Sequence, residues 1–264
     1  MRTSLLPLLR CPLCRRGRLL AEPSDARQVE FGPLTCEACH KGFAVAEGVV
    51  DLGPHEVAPH HGPARRAFES TLVARSWRRL IRPSLLALGG GRALGLDAEA
   101  ALVRGLLNEP KGPILDVGCG TGALMRALSR RTELPPLIGM DVSRAMLEEA
   151  LNLSREEGVP LSLIRAQAPG LPFQDAVLGG VVQSGSLAAM DDPDALFAEV
   201  HRVLKPGGRY VLLEWLRVPA LLSRRLGLES REPTALRAGL SRAGFTRIEL
   251  VDVKPYRVFQ ASRD

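Results

Sequence analysis

Apolar and polar positions alternate regularly over the second half of the chain. Short apolar runs at 113–117, 137–140 and 209–215 have the length of buried strands, whereas 122–130 repeats apolar residues at helical spacing. Strands that alternate with helices pack into a sheet with helices on its faces. From about Leu94 onward, the pattern therefore predicts a doubly wound α/β domain.

The segment before this domain has two parts. Residues 53–63 are rich in Pro and Gly and contain His55, His60 and His61, which predicts a linker. From 64 to 81, apolar residues recur on one side of a helix and arginines surround them. This pattern indicates an amphipathic helix packed on the main domain. A lid, or a docking helix for an anionic or lipophilic partner, is the alternative.

The most informative stretch is Ile114-Leu-Asp-Val-Gly-Cys-Gly-Thr-Gly122. An apolar strand ends in Asp116, the chain turns through three glycines, and an amphipathic helix begins. Glycine allows the backbone to come close to a ligand because it carries no Cβ atom. Asp141 follows the second predicted strand, where a carboxylate can accept hydrogen bonds from both hydroxyls of a ribose. These residues predict a ligand site above the carboxyl ends of the strands.

This pattern resembles motif I of the class I S-adenosylmethionine-dependent methyltransferases, in particular the ubiquinone-biosynthesis-like members known as methyltransferase type 11. Leu163-Ile-Arg-Ala-Gln-Ala168, Leu171-Pro-Phe-Gln-Asp175 and Val203-Leu-Lys-Pro-Gly-Gly208 carry the same resemblance. It implies a Rossmann-like seven-stranded sheet with an antiparallel last pair, which suits strands predicted at 245–253 and 257–260. It also implies S-adenosylmethionine as the cofactor. The residues expected to bind this cofactor are Asp116, Gly118, Gly120, Gly122, Asp141, Val142, Gln167, Ala168 and Gln183.

The chain departs from this family at several positions. Gln167 stands where an aspartate usually accepts a hydrogen bond from adenine, although a glutamine carbonyl oxygen can accept the same bond. Ala188-Ala189 replaces an aromatic or histidine pair after the fourth strand. We therefore expect a retained donor site with altered acceptor contacts, and the sequence assigns no catalytic residue.

Four cysteines organise the beginning of the chain. They form the pairs Cys11-Pro-Leu-Cys14 and Cys36-Glu-Ala-Cys39, separated by a short polar segment. Two such pairs offer four thiolates, the ligand set of a structural zinc ion, whereas disulfides are disfavoured in a reducing compartment. The wider stretch from Leu5 to Leu52 resembles the small zinc-ribbon proteins that activate tRNA and protein methyltransferases. We predict a zinc ribbon held by Cys11, Cys14, Cys36 and Cys39.

Composition and charge narrow the class of protein. The chain has 264 residues, of which 45% are hydrophobic and 24% are charged, as in globular proteins. No apolar run is long enough to span a membrane, and the start is too short for a signal peptide, so we expect a cytoplasmic protein. The net charge of +6 is concentrated in the arginine-rich stretch 65–82. The predicted domains are a zinc ribbon at 1–53, a linker and helical lid at 54–93, and a methyltransferase domain at 94–264.

The sequence is compatible with more than one methyl acceptor and with more than one function. A small lipophilic or phenolic molecule follows from the resemblance of the core. Ribosomal or transfer RNA is the alternative, because zinc-finger-bearing rRNA methyltransferases share this two-part layout, although basic and acidic residues balance within 1–62. Gly118, Gly120 and Ala123 also fit the dinucleotide-binding pattern of an NAD-dependent oxidoreductase. A non-catalytic binding module is a further alternative.

Overall fold

The fold is taken from a computed structural model. The residues that it describes are 1–22, 27–53, 63–88, 94–130, 134–215 and 231–264. The three predicted linker histidines, His55, His60 and His61, lie outside the described residues.

One continuous sheet runs through the whole described structure. In chain order its strands are β1 (Leu19–Ala21), β2 (Gly32–Cys36), β3 (Gly42–Ala46), β4 (Val49–Asp51), β5 (Ile114–Val117), β6 (Leu137–Asp141), β7 (Ser162–Arg165), β8 (Leu178–Ser184), β9 (Leu204–Trp215), β10 (Thr246–Val253) and β11 (Tyr256–Ser262). Across the sheet the order is β1-β2-β3-β4-β7-β6-β5-β8-β9-β11-β10.

The second half of this sheet has the predicted architecture. Strands β7, β6, β5, β8 and β9 are parallel neighbours, and β11 lies antiparallel between β9 and β10. The order in which strands are added to the sheet reverses between β5 and β8, because β6 and β7 lie on one side of β5 whereas β8 and β9 lie on the other. The predicted seven-stranded, doubly wound α/β sheet with its antiparallel last pair is confirmed.

Helices cover both faces of the sheet. In chain order they are α1 (Pro63–Phe68), α2 (Thr71–Ser76), α3 (Arg82–Leu88), α4 (Leu96–Leu107), α5 (Ala123–Ser129), α6 (Arg144–Glu157), α7 (Pro193–Val203) and α8 (Pro233–Arg242). Along β9 the side chains alternate between the two faces, as a strand requires. Val211 and Leu213 join the apolar cluster of α4 and α5, whereas Tyr210 and Leu212 join that of α7 and α8.

The helix predicted over 64–81 is not one continuous helix. It is divided into α1, α2 and a π-helical turn at Trp77–Ile81 that leads into α3. The break falls at Glu69–Ser70, where Ser70 adopts an extended backbone and stands at the N-cap of α2. Periodicity alone did not show this break, because the apolar residues on its two sides stay on the same face of the segment.

The amino-terminal strands are an extension of the main sheet. β4 pairs in parallel with β7, so that Val49 lies beside Leu163, Val50 beside Ile164 and Asp51 beside Arg165. The amide N–H of Leu52 continues this ladder by donating to the carbonyl of Arg165 at 2.8 Å. The cysteine-bearing strands are therefore joined to the α/β core by backbone hydrogen bonds as well as by side-chain packing.

Candidate functional site

A cavity of about 390 Å³ opens at the carboxyl ends of β5, β6 and β8. This is the point where the strand order reverses, the usual position of a ligand site in an open α/β sheet. Its volume lies in the range of small-molecule sites, roughly 300–1,000 Å³. The predicted site residues that line it are Asp116, Gly118, Gly120, Asp141, Val142, Gln167 and Ala168.

The glycine turn forms one wall of the cavity. Gly118, Gly120 and Gly122 have φ angles of +71°, +52° and +68°, a left-handed conformation that favours glycine. A Cβ atom on Gly118 would lie 2.5 Å from Ser186 Oγ, so the turn has no room for a side chain there. The result is a stretch of bare backbone that faces the cavity.

Asp141 is held by the backbone on two sides. Its Oδ2 accepts a hydrogen bond from the amide of Gly120 at 2.8 Å, and its Oδ1 accepts one from the amide of Ser143 at 2.9 Å. Burial raises the pKa of this carboxyl, and these amide bonds act in the opposite direction. Because a carboxylate can accept about four hydrogen bonds, Asp141 keeps acceptor capacity for a ligand in the cavity.

A second buried carboxyl lies at the end of β5. Asp116 is 5% exposed. Burial, followed by the nearby negative charges of Glu99 and Asp141, raises its pKa to about 8, while Arg82 lowers it. Near neutral pH this carboxyl is therefore mainly protonated, and a cationic ligand would favour its ionised form.

Glu99 is a buried polar residue that the sequence analysis did not assign to the site. It accepts hydrogen bonds from Ser184 Oγ at 2.9 Å, from Tyr256 Oη at 3.0 Å and from the guanidinium of Arg82. A sequence signal was present, because Glu99 precedes Val103 and Leu107 at intervals of four on the buried face of α4. Arg82 and Glu99 thus place a paired positive and negative charge on the cavity wall.

The helical segment 63–88 covers the cavity with apolar side chains. Phe68 and Trp77 pack edge to face with ring centroids 5.3 Å apart. Ser143 Oγ donates to the carbonyl of Phe68 at 2.7 Å, and Arg78 pairs with Glu157 at 3.2 Å, so these contacts, together with the Arg82–Glu99 pair, attach the segment to the core. The side chains of this segment that line the cavity include Phe68, Val73, Trp77, Ile81 and Leu85.

Two predicted site residues lie elsewhere. Gln183 is completely buried; Tyr210 Oη donates to its side-chain carbonyl, and its amide donates to Ser186 Oγ at 3.0 Å. A Cβ atom on Gly122 would lie 2.9 Å from Leu161 Cδ1, so this glycine is needed for packing. The cavity wall does not include either residue.

The positions that depart from the family pattern do line the cavity. Gln167 is exposed and Ala168 half-buried beside it, at the start of the segment that follows β7. The small side chains of Ala188 and Ala189 also belong to the wall. Where the family often has aromatic or histidine side chains, this cavity therefore has open space.

The four predicted cysteine ligands come together in space. Their Sγ atoms all lie within 4.8 Å of one another, with Cys11–Cys39 at 3.7 Å and Cys14–Cys36 at 3.6 Å. A tetrahedral zinc ion with Zn–S bonds of about 2.3 Å requires sulfur atoms about 3.8 Å apart. The four thiols therefore fit zinc, and none of them forms a disulfide.

Both cysteine pairs end in the same backbone turn. Arg15 and His40, the residues that directly follow each pair, have φ angles of +53° and +57°. At Gly17 a Cβ atom would lie only 2.4 Å from Cys36 Sγ, so glycine is required where the two halves of the cluster meet. The amides of Ala38 and Cys39 donate to Cys36 Sγ, as they would to a thiolate.

Among the described residues, every helix is too short or too polar to cross a lipid bilayer.

Comparison with known proteins finds similarity to methyltransferases. Residues 114–208 match the family model described as methyltransferase domain. The uncharacterized methyltransferase At1g78140, chloroplastic, of Arabidopsis thaliana is 26% identical over 217 residues, which cover 77% of this chain and 60% of that protein. The demethylmenaquinone methyltransferase of Thermus thermophilus is 33% identical over 160 residues, covering 61% of this chain and 63% of that protein. The chain thus spans less than two thirds of the length of these relatives.

Solved structures share the fold at low sequence identity. The geranyl diphosphate C-methyltransferase of Streptomyces coelicolor superimposes with a TM-score of 0.59 at 17% identity, covering 78% of this chain and 100% of that one. A SAM-dependent methyltransferase from Aquifex aeolicus gives 0.58 at 17% identity, covering 74% and 99%. These structures show the fold, and the predicted resemblance to methyltransferases is confirmed by the family model and the sequence relatives.

Proposed function

We propose that this chain, which carries a methyltransferase domain over residues 114–208, uses S-adenosylmethionine to methylate a small lipophilic or phenolic molecule. One observation carries the donor half of the proposal: Gly118, Gly120 and Asp141 combine bare backbone with a held carboxylate in the cavity. The matched methyltransferases make an oxidoreductase a poorer explanation of the same glycine turn.

Each part of the donor has a suitable group in the cavity wall. Asp141 offers oxygen acceptors for ribose hydroxyls, and Gln167 offers an amide for the adenine ring. The Arg82–Glu99 pair supplies charges of both signs, which suits an amino-acid end that is itself zwitterionic, and Asp116 adds a negative charge when it is ionised. S-adenosylmethionine would provide an electrophilic methyl group on a positively charged sulfur.

Methyl transfer from such a group mainly requires alignment of the acceptor atom and exclusion of water. The apolar cover made by Phe68, Trp77 and Ile81 serves the second purpose. The hydroxyl of Ser184 donates to Glu99, and Gln183 is engaged with Tyr210. We therefore assign no catalytic base to this cavity.

The acceptor class is inferred from the cavity wall. Its helical side is mainly apolar, with Arg82 and Glu69 as the charged exceptions, and Ala188 and Ala189 leave room beside it. An apolar enclosure favours an aromatic ring or a hydrocarbon chain over a phosphate-bearing polymer. The Thermus thermophilus relative, a demethylmenaquinone methyltransferase, is named for an acceptor of this kind.

We further propose that Cys11, Cys14, Cys36 and Cys39 hold one zinc ion. Four thiolates leave no coordination position for water, so the ion would be structural. A segment of this size has a small core of its own, and zinc binding would add to its folding free energy.

Donor binding is expected to depend on Asp141. Asp141→Asn should weaken S-adenosylhomocysteine binding about ten- to hundredfold, because hydrogen bonds to a charged group contribute about 1.5–3 kcal/mol. Isothermal titration measures this, with Asp252→Asn as the control, because Asp252 of the edge strand β10 pairs with Arg257 of β11 and the residues that line the cavity include neither of them. Tight NADH binding, with no binding of S-adenosylhomocysteine to the wild-type chain, would contradict the proposal.

The charge of Asp116 predicts a pH dependence. With a pKa of about 8, this carboxyl is mostly protonated at pH 6.5 and mostly ionised at pH 9. Only its ionised form attracts the sulfonium, so the preference for S-adenosylmethionine over S-adenosylhomocysteine should increase about three- to tenfold between these pH values. The sulfonium also lowers the pKa of the α-amino group of S-adenosylmethionine relative to that of S-adenosylhomocysteine, so the Asp116→Asn variant is measured at the same pH values to separate the titration of the ligand from that of Asp116. Asp116→Asn should remove the increase that is due to this carboxyl, and a wild-type profile no steeper than that of the variant would refute this role.

The acceptor class can be read from the fate of a labelled methyl group. When the protein and methyl-labelled S-adenosylmethionine are added to cell lysate, label should enter the organic extract and should be absent from RNA and protein. Label in RNA would show that the acceptor is a nucleic acid and would contradict the small-molecule proposal. The Asp141→Asn variant, which keeps the cysteines and the cavity cover, provides the background.

Zinc binding is expected to depend on Gly17. Gly17→Ala places a Cβ atom against Cys36 Sγ and should make zinc about tenfold easier to remove with a chelator, because such overpacking costs about 1–3 kcal/mol. Gly42→Ala is the matched control, since a Cβ atom there meets nothing within 4 Å. Metal analysis should return one zinc per wild-type chain. Equal chelator resistance of the two variants, or a chain without zinc, would contradict the assignment.

A further inference from the structure

One arginine, Arg165, links the amino-terminal ribbon, residues 1–53, to the turn that carries Asp141. Arg165, the last residue of β7, donates from Nη1 to both carboxylate oxygens of Asp51 at 3.1 and 3.3 Å. Asp51 is the last residue of β4 and lies beside Arg165 in the strand register. The side chain of Arg165 is only 15% exposed, so the pair is better protected from solvent than a surface ion pair.

The same guanidinium contacts the turn that carries the cavity carboxylate. Arg165 Nε donates to the carbonyl oxygen of Val142 at 3.1 Å. This carbonyl and the amide N–H of Ser143 belong to one planar peptide unit. That N–H in turn donates to Asp141 Oδ1 at 2.9 Å. Rotation of the peptide would therefore break the contact with Arg165 and the contact with Asp141 together.

We propose that Asp51 and Arg165 are positioning residues for the donor, through which the ribbon fixes the ribose-binding carboxylate of Asp141. This inference rests on the proposed donor site. The ion pair holds the guanidinium, the guanidinium holds the 142–143 peptide, and the peptide orients the carboxylate. The ribbon thereby contributes to donor affinity without touching the donor.

The molecule also contains a matched control for this contact. Glu47 of the ribbon pairs with Arg155 of α6 at 2.8 Å, with 56% and 60% of the two side chains exposed. This pair also joins the ribbon to the core, but its side-chain hydrogen bond runs between its own two members and not to the 142–143 peptide that Arg165 contacts. If ribbon–core ion pairs had a purely structural role, the loss of either pair would affect donor affinity to the same extent.

The experiment compares three variants of the full chain. Asp51→Asn removes the charge that holds the guanidinium, Arg165→Lys keeps the charge but removes the Nε donor, and Glu47→Gln is the control. Isothermal titration measures S-adenosylhomocysteine affinity, and competition measures the preference for adenosine over 2′-deoxyadenosine, which reports on ribose recognition. Melting temperatures and zinc content show whether each variant is folded and loaded.

Asp51→Asn and Arg165→Lys should each weaken S-adenosylhomocysteine binding about fivefold or more and reduce the preference for the ribose 2′-hydroxyl. Their double variant should lose less than the product of the two effects, because both act through one contact. Glu47→Gln should retain wild-type affinity and preference. If all three variants bind like the wild type, the inference is overturned while the proposed function stands. If the wild-type chain itself does not bind S-adenosylhomocysteine, the proposed function fails instead.

Discussion

The burial of carboxyl groups beneath an apolar cover is the constraint on which the site depends. Asp116, Glu99 and Asp141 lie near one another where the strand order reverses, and apolar side chains of the segment 63–88 line the cavity beside them. Burying such groups is costly unless each is neutralised or hydrogen-bonded. Each carboxyl meets this cost differently: Glu99 is paired with Arg82, Asp141 accepts two backbone amides, and Asp116 has a pKa near 8.

This constraint links the cover to the chemistry. Arg82 begins α3 within the covering segment and pairs with Glu99 inside the cavity. The segment that excludes water therefore also supplies the positive charge that balances a buried carboxylate. Because Arg82 belongs to the cover, a displacement of the cover would also change the electrostatic potential in the cavity. A cationic donor adds a further positive charge in a place where negative groups already outnumber their partners.

The sequence was sufficient for features that depend on local chemistry. The turn through Gly118, Gly120 and Gly122 has the left-handed backbone that favours glycine, and the two cysteine pairs bring four thiols within 4.8 Å of one another. Apolar runs of strand length likewise predicted the strands of the core sheet, because such a run is a local sign of a buried strand.

Features that depend on distant partners could not be obtained this way. Nothing in the residues of β4 indicates that they pair with β7, more than a hundred positions later in the chain. The contact between Arg82 and Glu99 likewise joins two elements that the pattern treats separately. Gln183, which the resemblance assigns to the cofactor, is a similar case, because its buried side chain is hydrogen-bonded to Tyr210, a residue of another strand.

The ladder between β4 and β7 also determines where this protein can be divided. A fragment that begins after Asp51 would leave the backbone of Leu163, Ile164 and Arg165 as an open sheet edge, and open edges promote association with other chains. The Pro- and Gly-rich linker suggests a domain boundary near residue 53. The hydrogen bonds between β4 and β7 contradict this boundary, because a cut there would remove a strand from the sheet. Exchange of the ribbon for another module would therefore require a replacement strand of matching length and register.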